Sequence, residues 1–169
     1  MLLDAKEIPR DSRLHADVCI VGSGAAGIPL ALSLAAAGKQ VLLLEAGHRK
    51  RNDRDQRLYA GQVADERLHS PPDKYRLRTL GGSTVIWGGR CVPLDPIDVE
   101  AREYVPGSGW PISYEDIARY YPEANAWAEA GRCEYRAAEA FGGELPDLIQ
   151  GFHSDKILTD GLERFSLPT

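Results

Sequence analysis

The chain has 169 residues, a net charge of -5 and 43% apolar residues, which is typical of a globular protein in water. Acidic residues are spread along it, whereas a nucleic-acid-binding protein needs a basic face, so no nucleic-acid partner is expected. No apolar run is long enough to span a membrane. The N-terminal "MLLDAKEIPRDSR" lacks the apolar stretch of a signal peptide, and these features predict a cytoplasmic location.

The cysteines predict neither a metal site nor a disulfide framework. Cys19, Cys91 and Cys133 are far apart and lack the paired spacing of a zinc site. Cys19 lies within an apolar run and is expected to be a small buried core residue.

The first part of the chain predicts one βαβ unit. Residues 1–15 form a polar lead-in, and "ADVCIVG", residues 16–22, is apolar on both faces, as a buried parallel strand is. An Ala- and Leu-rich helix is predicted for residues 25–37, ended by Gly38. A second buried strand, "QVLLLE", is predicted for residues 40–45, and the unit is expected to be right-handed.

The remainder of the chain gives weaker signals. Residues 47–80 are polar without clear periodicity, which is uncommon unless such a span wraps a ligand or carries short helices. Residues 81–87 fit either a short helix after a glycine turn or a strand. A long helix is predicted for residues 113–130, capped by Ser113 and followed by glycine.

Only two clear sheet strands are found, although a doubly wound parallel sheet has more. We therefore expect an α/β fold that is incomplete in this chain, as the N-terminal part of a longer protein or one piece of an assembly. The alternative is that weak strands lie within residues 132–169.

A glycine motif, "GSGAAG" at residues 22–27, joins the first predicted strand to the helix. Gly22 allows a tight turn, Gly24 lets the backbone approach a pyrophosphate, and Gly27 lets the helix pack closely on the strand. Glu45, at the end of the next strand, can accept hydrogen bonds from both ribose hydroxyls of an adenosine and would repel a 2′-phosphate. This context is that of the dinucleotide fingerprint, which predicts a bound ADP moiety and leaves NAD and FAD open.

A second glycine segment, "LGGST" at residues 80–84, favours FAD. Its glycines and hydroxyl residues can place backbone donors around a phosphate or a flavin edge, although an ordinary glycine turn would have the same spacing. In a nicotinamide dehydrogenase, another helix and strand would soon follow the second strand. Here the long polar span of residues 47–80 leads to this segment instead.

With "GWPISYEDIARYYPEA" at residues 109–124, these segments resemble the N-terminal part of a glucose–methanol–choline (GMC) oxidoreductase. The similarity covers residues 16–131 and is strongest to the bacterial sugar-dehydrogenase and pyranose-oxidase-like branch. It implies a Rossmann-like FAD/NAD(P)-binding fold with a βαβ core, and oxidation of a CH–OH group of a sugar or alcohol by hydride transfer to flavin N5. It also implies that residues 16–169 are the N-terminal portion of an FAD-binding domain.

The resemblance also implies which residues contact FAD. The first turn would face the pyrophosphate and Glu45 the adenosine ribose, and the second segment would lie near the pyrophosphate and isoalloxazine. Arg78 matches a basic position just before that segment. The implied set is Gly22, Gly24, Ala25, Ala26, Gly27, Glu45, Ala46, Arg78, Gly81, Gly82, Ser83, Thr84 and Trp87.

Two departures from the family pattern follow the second segment. Many members have Asn or His where this chain has Trp87, which leaves open what replaces their polar contact to the flavin. Some sugar-oxidising members carry a covalent flavin on a His at the preceding position, which is Ile86 here. Non-covalent FAD is therefore predicted.

No catalytic residue is predicted. In the family, a His paired with a second His or Asn near the C-terminus takes the hydroxyl proton, a role that suits histidine. His15, His48, His69 and His153 match no such motif. The chain alone is therefore expected to be inactive, with a substrate domain and catalytic segment, or a partner chain, supplying the rest.

Two other interpretations stay open. The chain could be another FAD- or NAD-dependent oxidoreductase that shares only the first glycine motif, or a catalytically silent fragment that binds nucleotide at most. The sequence specifies neither the sugar or alcohol nor the electron acceptor.

Overall fold

The computed structural model describes residues 1–143, 149–152, 154 and 157–167. The chain divides into two compact units, Met1–Ile86 and Trp87–Thr169. This boundary falls inside the segment assigned to one domain from the sequence, and that single domain stays a prediction. His153 lies outside the described residues.

The first unit contains a βαβ unit followed by short helices. Its strands are β1 (Val18–Val21) and β2 (Val41–Leu44), and its α-helices are α1 (Gly27–Ala36), α2 (Asp53–Gln56) and α3 (Pro72–Tyr75). Short 3₁₀ helices lie at Ala5–Glu7, Arg57–Tyr59 and Gly82–Val85. The span after β2 thus carries short helices, and the segment after the second glycine turn is helical.

The predicted βαβ unit is confirmed, with each element shorter than expected. The two strands pair in parallel, with Val18 opposite Val41 and Val21 opposite Leu44. Helix α1 begins only at Gly27, so Pro29 lies in its first turn, where a missing N–H removes no helical hydrogen bond.

Only one face of this small sheet is covered by α1. Ile20 points toward the helix and is buried, whereas Val21 is 82% exposed. Cys19 is exposed as well, so the prediction that it is a core residue is wrong. Successive strand residues point to opposite faces, and an apolar run therefore leaves half its side chains open where one face is uncovered.

The interior of the first unit is unusually polar. Its most buried side chains include Ser23, Gln56 and Thr79, which are 0–4% exposed, beside the apolar Ile20 and Leu77. Buried polar groups of this kind are stabilising only when they are hydrogen-bonded. The packing of this unit therefore depends on its hydrogen bonds as well as on apolar contact.

The second unit is built from short elements. Its strands are β3 (Arg90–Cys91) and β4 (Arg164–Phe165), which pair antiparallel, and its helices are α4 (Pro96–Val99), α5 (Tyr114–Ala118), α6 (Tyr121–Trp127) and α7 (Ala137–Phe141). Strand β4 does lie within residues 132–169, but it pairs with β3 and adds no strand to the parallel β1–β2 sheet.

The single helix predicted for residues 113–130 is wrong, because the chain forms α5 and α6 instead. Pro122 has no N–H to bond back to Ala118 and its ring would crowd that carbonyl, so it occupies the start of α6. The predicted Ser113 cap is confirmed, since its side chain accepts from the Asp116 N–H and Asp116 reciprocates. Within α6, the polar Asn125 side chain is buried, whereas the aromatic Trp127 side chain is 45% exposed.

Within the described ranges, no helix combines the length and the apolar character needed to cross a membrane. Nor do His, Cys, Asp and Glu side chains come together there in a group of three or more that could hold a metal ion.

Gly27 is where α1 comes closest to the end of β1. A Cβ at this position would lie 1.9 Å from the Gly22 carbonyl oxygen. We expect Gly27→Ala to lower the free energy of unfolding by about 1–3 kcal/mol, because helix and strand must separate. Denaturant unfolding followed by circular dichroism measures this loss. Gly24→Ala is the matched control, since a Cβ there meets no atom within 4 Å; equal stability of the two variants would contradict the close approach.

Candidate functional site

The first glycine turn runs from the end of β1 into α1. The Gly22 N–H donates to the Leu44 carbonyl at 2.7 Å, which continues the sheet pairing by one residue. The N–H groups of Gly24, Ala25 and Ala26 donate to no acceptor among the described residues, as expected before the first turn of a helix. These free donors and the positive end of the helix dipole form a site suited to an anion.

Glu45 follows β2 and binds the first turn. Its Oε2 accepts from the Ser23 N–H at 2.9 Å and from the Ser23 hydroxyl at 2.7 Å. Its Oε1 accepts from the Gly47 N–H at 2.7 Å. Partial burial by itself raises the pKa of Glu45, but the hydrogen bonds from Ser23 and Gly47, with the nearby backbone of Ala46, outweigh it and hold the pKa below its usual value. The group is therefore a carboxylate at neutral pH.

The second glycine segment lies directly against the first. The Gly81 N–H donates to the Ser23 carbonyl at 2.9 Å, and a Cβ on Gly82 would lie 3.3 Å from the Gly24 Cα. Gly81 and Gly82 have φ values of +88° and +59°, which favour glycine. The Thr84 hydroxyl closes the turn by donating to the Gly81 carbonyl at 2.6 Å.

The residues before this segment pack against the chain that follows β2. A Cβ on Gly47 would lie 2.4 Å from the Arg78 carbonyl carbon, so the two backbones are in direct contact. The Thr79 hydroxyl and the Leu80 N–H both donate to the His48 carbonyl, at 2.6 and 3.0 Å. Arg78 lies over the Tyr59 ring at 5.8 Å, and its buried Nε has no hydrogen-bond partner among the described residues.

The structure brings together five of the thirteen residues predicted from the sequence. Those that meet around Ser23 are Gly22, Gly24, Glu45, Gly81 and Gly82. Gly27 is buried against the β1 end and serves the packing of α1, whereas Ala25 and Ala26 are exposed where the helix begins.

The other predicted residues lie farther along the same loops. Ala46 is exposed beside Glu45, and the Ser83 hydroxyl accepts from the Leu77 N–H at 3.2 Å. Trp87 is 45% exposed and belongs to the second unit, so its contribution to a site in the first unit stays a prediction.

Sequence reasoning missed three buried polar residues of this region: Ser23, Gln56 and Thr79. Ser23 occupies the variable position between the first two motif glycines, and only its hydroxyl hinted at a role. Gln56 and Thr79 lie in a polar span without periodicity, where no pattern distinguishes a buried side chain from an exposed one.

The histidines make local contacts where they are described. His48 Nε2 lies 2.8 Å from the Asp55 carboxylate, and His69 Nδ1 lies 2.5 Å from the Ser70 carbonyl oxygen. His15 is exposed.

The geometry fits the ADP half of a dinucleotide. A Cβ on Gly22 or Gly24 would meet no atom within 4 Å, so open space adjoins the free N–H groups at the start of α1. A carboxylate stands at the carboxyl end of the neighbouring parallel strand, where ligands bind in open α/β sheets.

Comparison with known proteins agrees with this geometry. Residues 17–55 match the FAD binding domain family, a region that contains β1, the first glycine turn, α1 and β2. The match confirms the predicted α/β FAD-binding fold and the predicted cofactor, FAD.

Several proteins are similar over a longer part of the chain. A 2-methyl-1,2-propanediol dehydrogenase of Mycolicibacterium austroafricanum is 32% identical over 130 residues, which cover 65% of this chain and 24% of the relative. A 6'''-hydroxyparomomycin C oxidase of Streptomyces lividus is 32% identical over 146 residues, or 80% and 25% of the two chains. An uncharacterised GMC-type oxidoreductase of Mycobacterium tuberculosis is 38% identical over 87 residues, or 46% and 14%.

The matched part is about a quarter of the length of the first two relatives. These similarities extend beyond the glycine motif that many dinucleotide-binding proteins share. The comparisons confirm the predicted resemblance: the chain is similar to the N-terminal FAD-binding part of glucose–methanol–choline oxidoreductases.

Proposed function

We propose that this chain supplies the FAD-binding portion of a flavin-dependent dehydrogenase or oxidase that acts on CH–OH groups of sugars or alcohols. When bound, FAD supplies the acceptor, at N5, for the hydride that leaves the substrate carbon. One relative is named as the dehydrogenase of a diol, which supports a hydroxyl-bearing substrate. The sugar-dehydrogenase and pyranose-oxidase-like branch and the cytoplasmic location stay predictions.

The observation that carries the proposal is the contact between the two glycine turns. A nucleotide-binding βαβ unit needs only the first turn and the acid after β2. Here the second turn is hydrogen-bonded to the first through Gly81 and Ser23, and Gly82 lies against Gly24. Two adjoining backbone turns offer donors to more of a large cofactor than an ADP moiety alone would use.

The first turn is proposed to hold the pyrophosphate. Gly24 has open space beside it, and the N–H groups of Gly24, Ala25 and Ala26 are available as donors. Backbone donors at a helix start need no side-chain charge to bind phosphate.

Glu45 is proposed to bind one ribose hydroxyl, rather than the two expected from the sequence. A carboxylate offers about four acceptor positions, and Ser23 and Gly47 occupy three of them. The position left on Oε1 accepts one hydroxyl.

The second turn and Arg78 are proposed to face the remainder of the cofactor. The buried Arg78 Nε without a protein partner leaves a donor and a positive charge for an anionic group, since buried donors are nearly always paired. No residue of this chain is proposed as the catalytic base. The substrate-binding part is proposed to lie in other segments or a partner chain, and the sheet to be incomplete without them.

The first test is a visible absorption spectrum of the purified protein, repeated on the supernatant after acid precipitation. Non-covalent FAD predicts flavin bands that move into the supernatant. Flavin that stays with the precipitate would contradict the prediction drawn from Ile86.

A colourless protein would call for a second measurement. A rise in melting temperature with added FAD, and none with NAD, would restore the proposal, because a ligand stabilises the state that binds it. A rise with NAD alone would indicate a nicotinamide-dependent enzyme. Oxidation of a sugar or alcohol by the chain, in the presence of an artificial electron acceptor, would exclude the alternative of a silent nucleotide-binding fragment.

Gly24→Val should abolish FAD binding, because its side chain would fill the open space assigned to the pyrophosphate. The bound flavin per protein, read from the absorption spectrum, measures the loss. Gly61→Val is the control in the same unit, since a Cβ there meets only a Pro72 side-chain atom at 3.7 Å. Normal flavin content in Gly24→Val would place the phosphates elsewhere.

Glu45→Gln should change how stability depends on pH. The folded protein holds the pKa of Glu45 below the usual 4.5, so the unfolded chain takes up the proton more readily as the solution is acidified. The contribution of the carboxylate is therefore complete above about pH 4.5 and is lost as pH falls through the lower folded pKa.

Urea unfolding of the wild type and Glu45→Gln across the acid range measures this dependence. The difference in unfolding free energy between them should be constant near neutrality and shrink at low pH. Glu66→Gln, at an exposed glutamate of the same unit, is the control. A difference that does not change with pH would contradict the assigned hydrogen bonds.

A further inference from the structure

Gln56, the last residue of α2, has a buried side chain whose hydrogen bonds all reach one distant segment, which runs from α3 toward the second glycine turn. It is 4% exposed. Its Nε2 donates to the Asp73 carbonyl at 2.9 Å and to the Arg76 carbonyl at 2.6 Å, and its Oε1 accepts from the Arg78 N–H at 3.0 Å. Both donors and the acceptor of one amide are thus used by backbone groups within six residues of each other.

Those backbone groups lie just before the second glycine turn. From Arg78 the chain continues through Thr79, which is fixed to the His48 carbonyl, to Gly81, which is fixed to Ser23. Arg78 itself has its buried Nε without a protein partner. The hydrogen bonds of Gln56 therefore help to set the direction of the Arg78 side chain. They also help to hold the second glycine turn against the first.

Helix α2 is itself held in place, so Gln56 is a fixed anchor. The Asn52 side chain caps the helix by accepting from the Arg54 N–H at 2.9 Å. The Asp55 carboxylate pairs with His48 at 2.8 Å, and His48 also carries the carbonyl that binds Thr79.

We propose that Gln56 is a positioning residue for the cofactor. Without touching FAD, it holds Arg78 and the second glycine turn against the first, and so sets the affinity for the part of FAD beyond ADP. This inference rests on the proposed function, because it takes the second turn to face the cofactor. Ser23 and Glu45, by contrast, hold the first turn without Gln56, so binding of ADP should depend on it little.

The test compares FAD and ADP binding in Gln56→Met, which keeps the volume of the side chain and removes its hydrogen bonds. We expect the dissociation constant for FAD to rise about ten-fold, the effect of leaving buried backbone groups unpaired. The dissociation constant for ADP should change less than about two-fold. Flavin fluorescence quenching measures the first and titration calorimetry the second, with Gln62→Met, at an exposed glutamine of the same unit, as control.

A merely structural role would weaken FAD and ADP binding equally, and that result would overturn the proposal. Unchanged FAD binding would overturn it as well. If Gln56→Met fails to fold, Gln56→Glu takes its place: it keeps an acceptor for the Arg78 N–H but turns a carboxylate toward the Asp73 and Arg76 carbonyls. It should lose FAD affinity at least as strongly, again with ADP binding retained.

Amide hydrogen exchange separates this inference from the proposed function. In the FAD-free protein, Gln56→Met should speed exchange at residues 76–80 and leave β1 unchanged. A wild type that binds ADP but no FAD would refute the proposed function, and the exchange result alone would then decide whether Gln56 holds the loop. Unaltered exchange at residues 76–80 would refute the anchoring.

Discussion

A single serine joins the three chain segments that form the candidate site. Ser23 is fully buried; its N–H and hydroxyl bind the Glu45 carboxylate, and its carbonyl accepts from the Gly81 N–H. The turn after β1, the end of β2 and the second glycine turn therefore meet at one residue. Since each of these bonds lies in a partly buried setting, losing one leaves a polar group unpaired, which costs more than the bond itself contributes.

Around this junction, hydrogen bonds from side chains to the backbone take the place that apolar contacts hold in many domains. Gln56 and Thr79 are nearly as buried as Ser23. Thr79 binds the His48 carbonyl after β2, and Gln56 binds the end of α3 and the irregular chain that follows it. In such a network each hydrogen bond strengthens its neighbours, and a buried polar group left without a partner is destabilising. The network gives irregular loops a defined position, and a cofactor-binding surface made of loop backbone requires that.

The parts of the fold that repeat a local pattern could be predicted from the sequence. The βαβ unit follows from apolar strands, an Ala-rich helix and glycines at its ends, and the position of Glu45 directly after β2 follows with it. The buried position of Gln56 could not be predicted, because its partners are backbone groups about twenty residues away that leave no mark in composition or period. The break between α5 and α6 could be predicted from Pro122. The exposure of Cys19 could not, because it depends on which face of the β1–β2 sheet another element covers.

The bond between Ser23 and Gly81 also bears on the order in which the region folds. The βαβ unit joins residues that are near in sequence, whereas this bond closes a long loop, and loop closure costs entropy that grows with length. Contacts between distant residues form late in folding for this reason. The first turn and Glu45, which are proposed to bind the adenosine half of FAD, can therefore form before the second turn is in place. A nucleotide bound to them would stabilise the state onto which the rest of the loop closes.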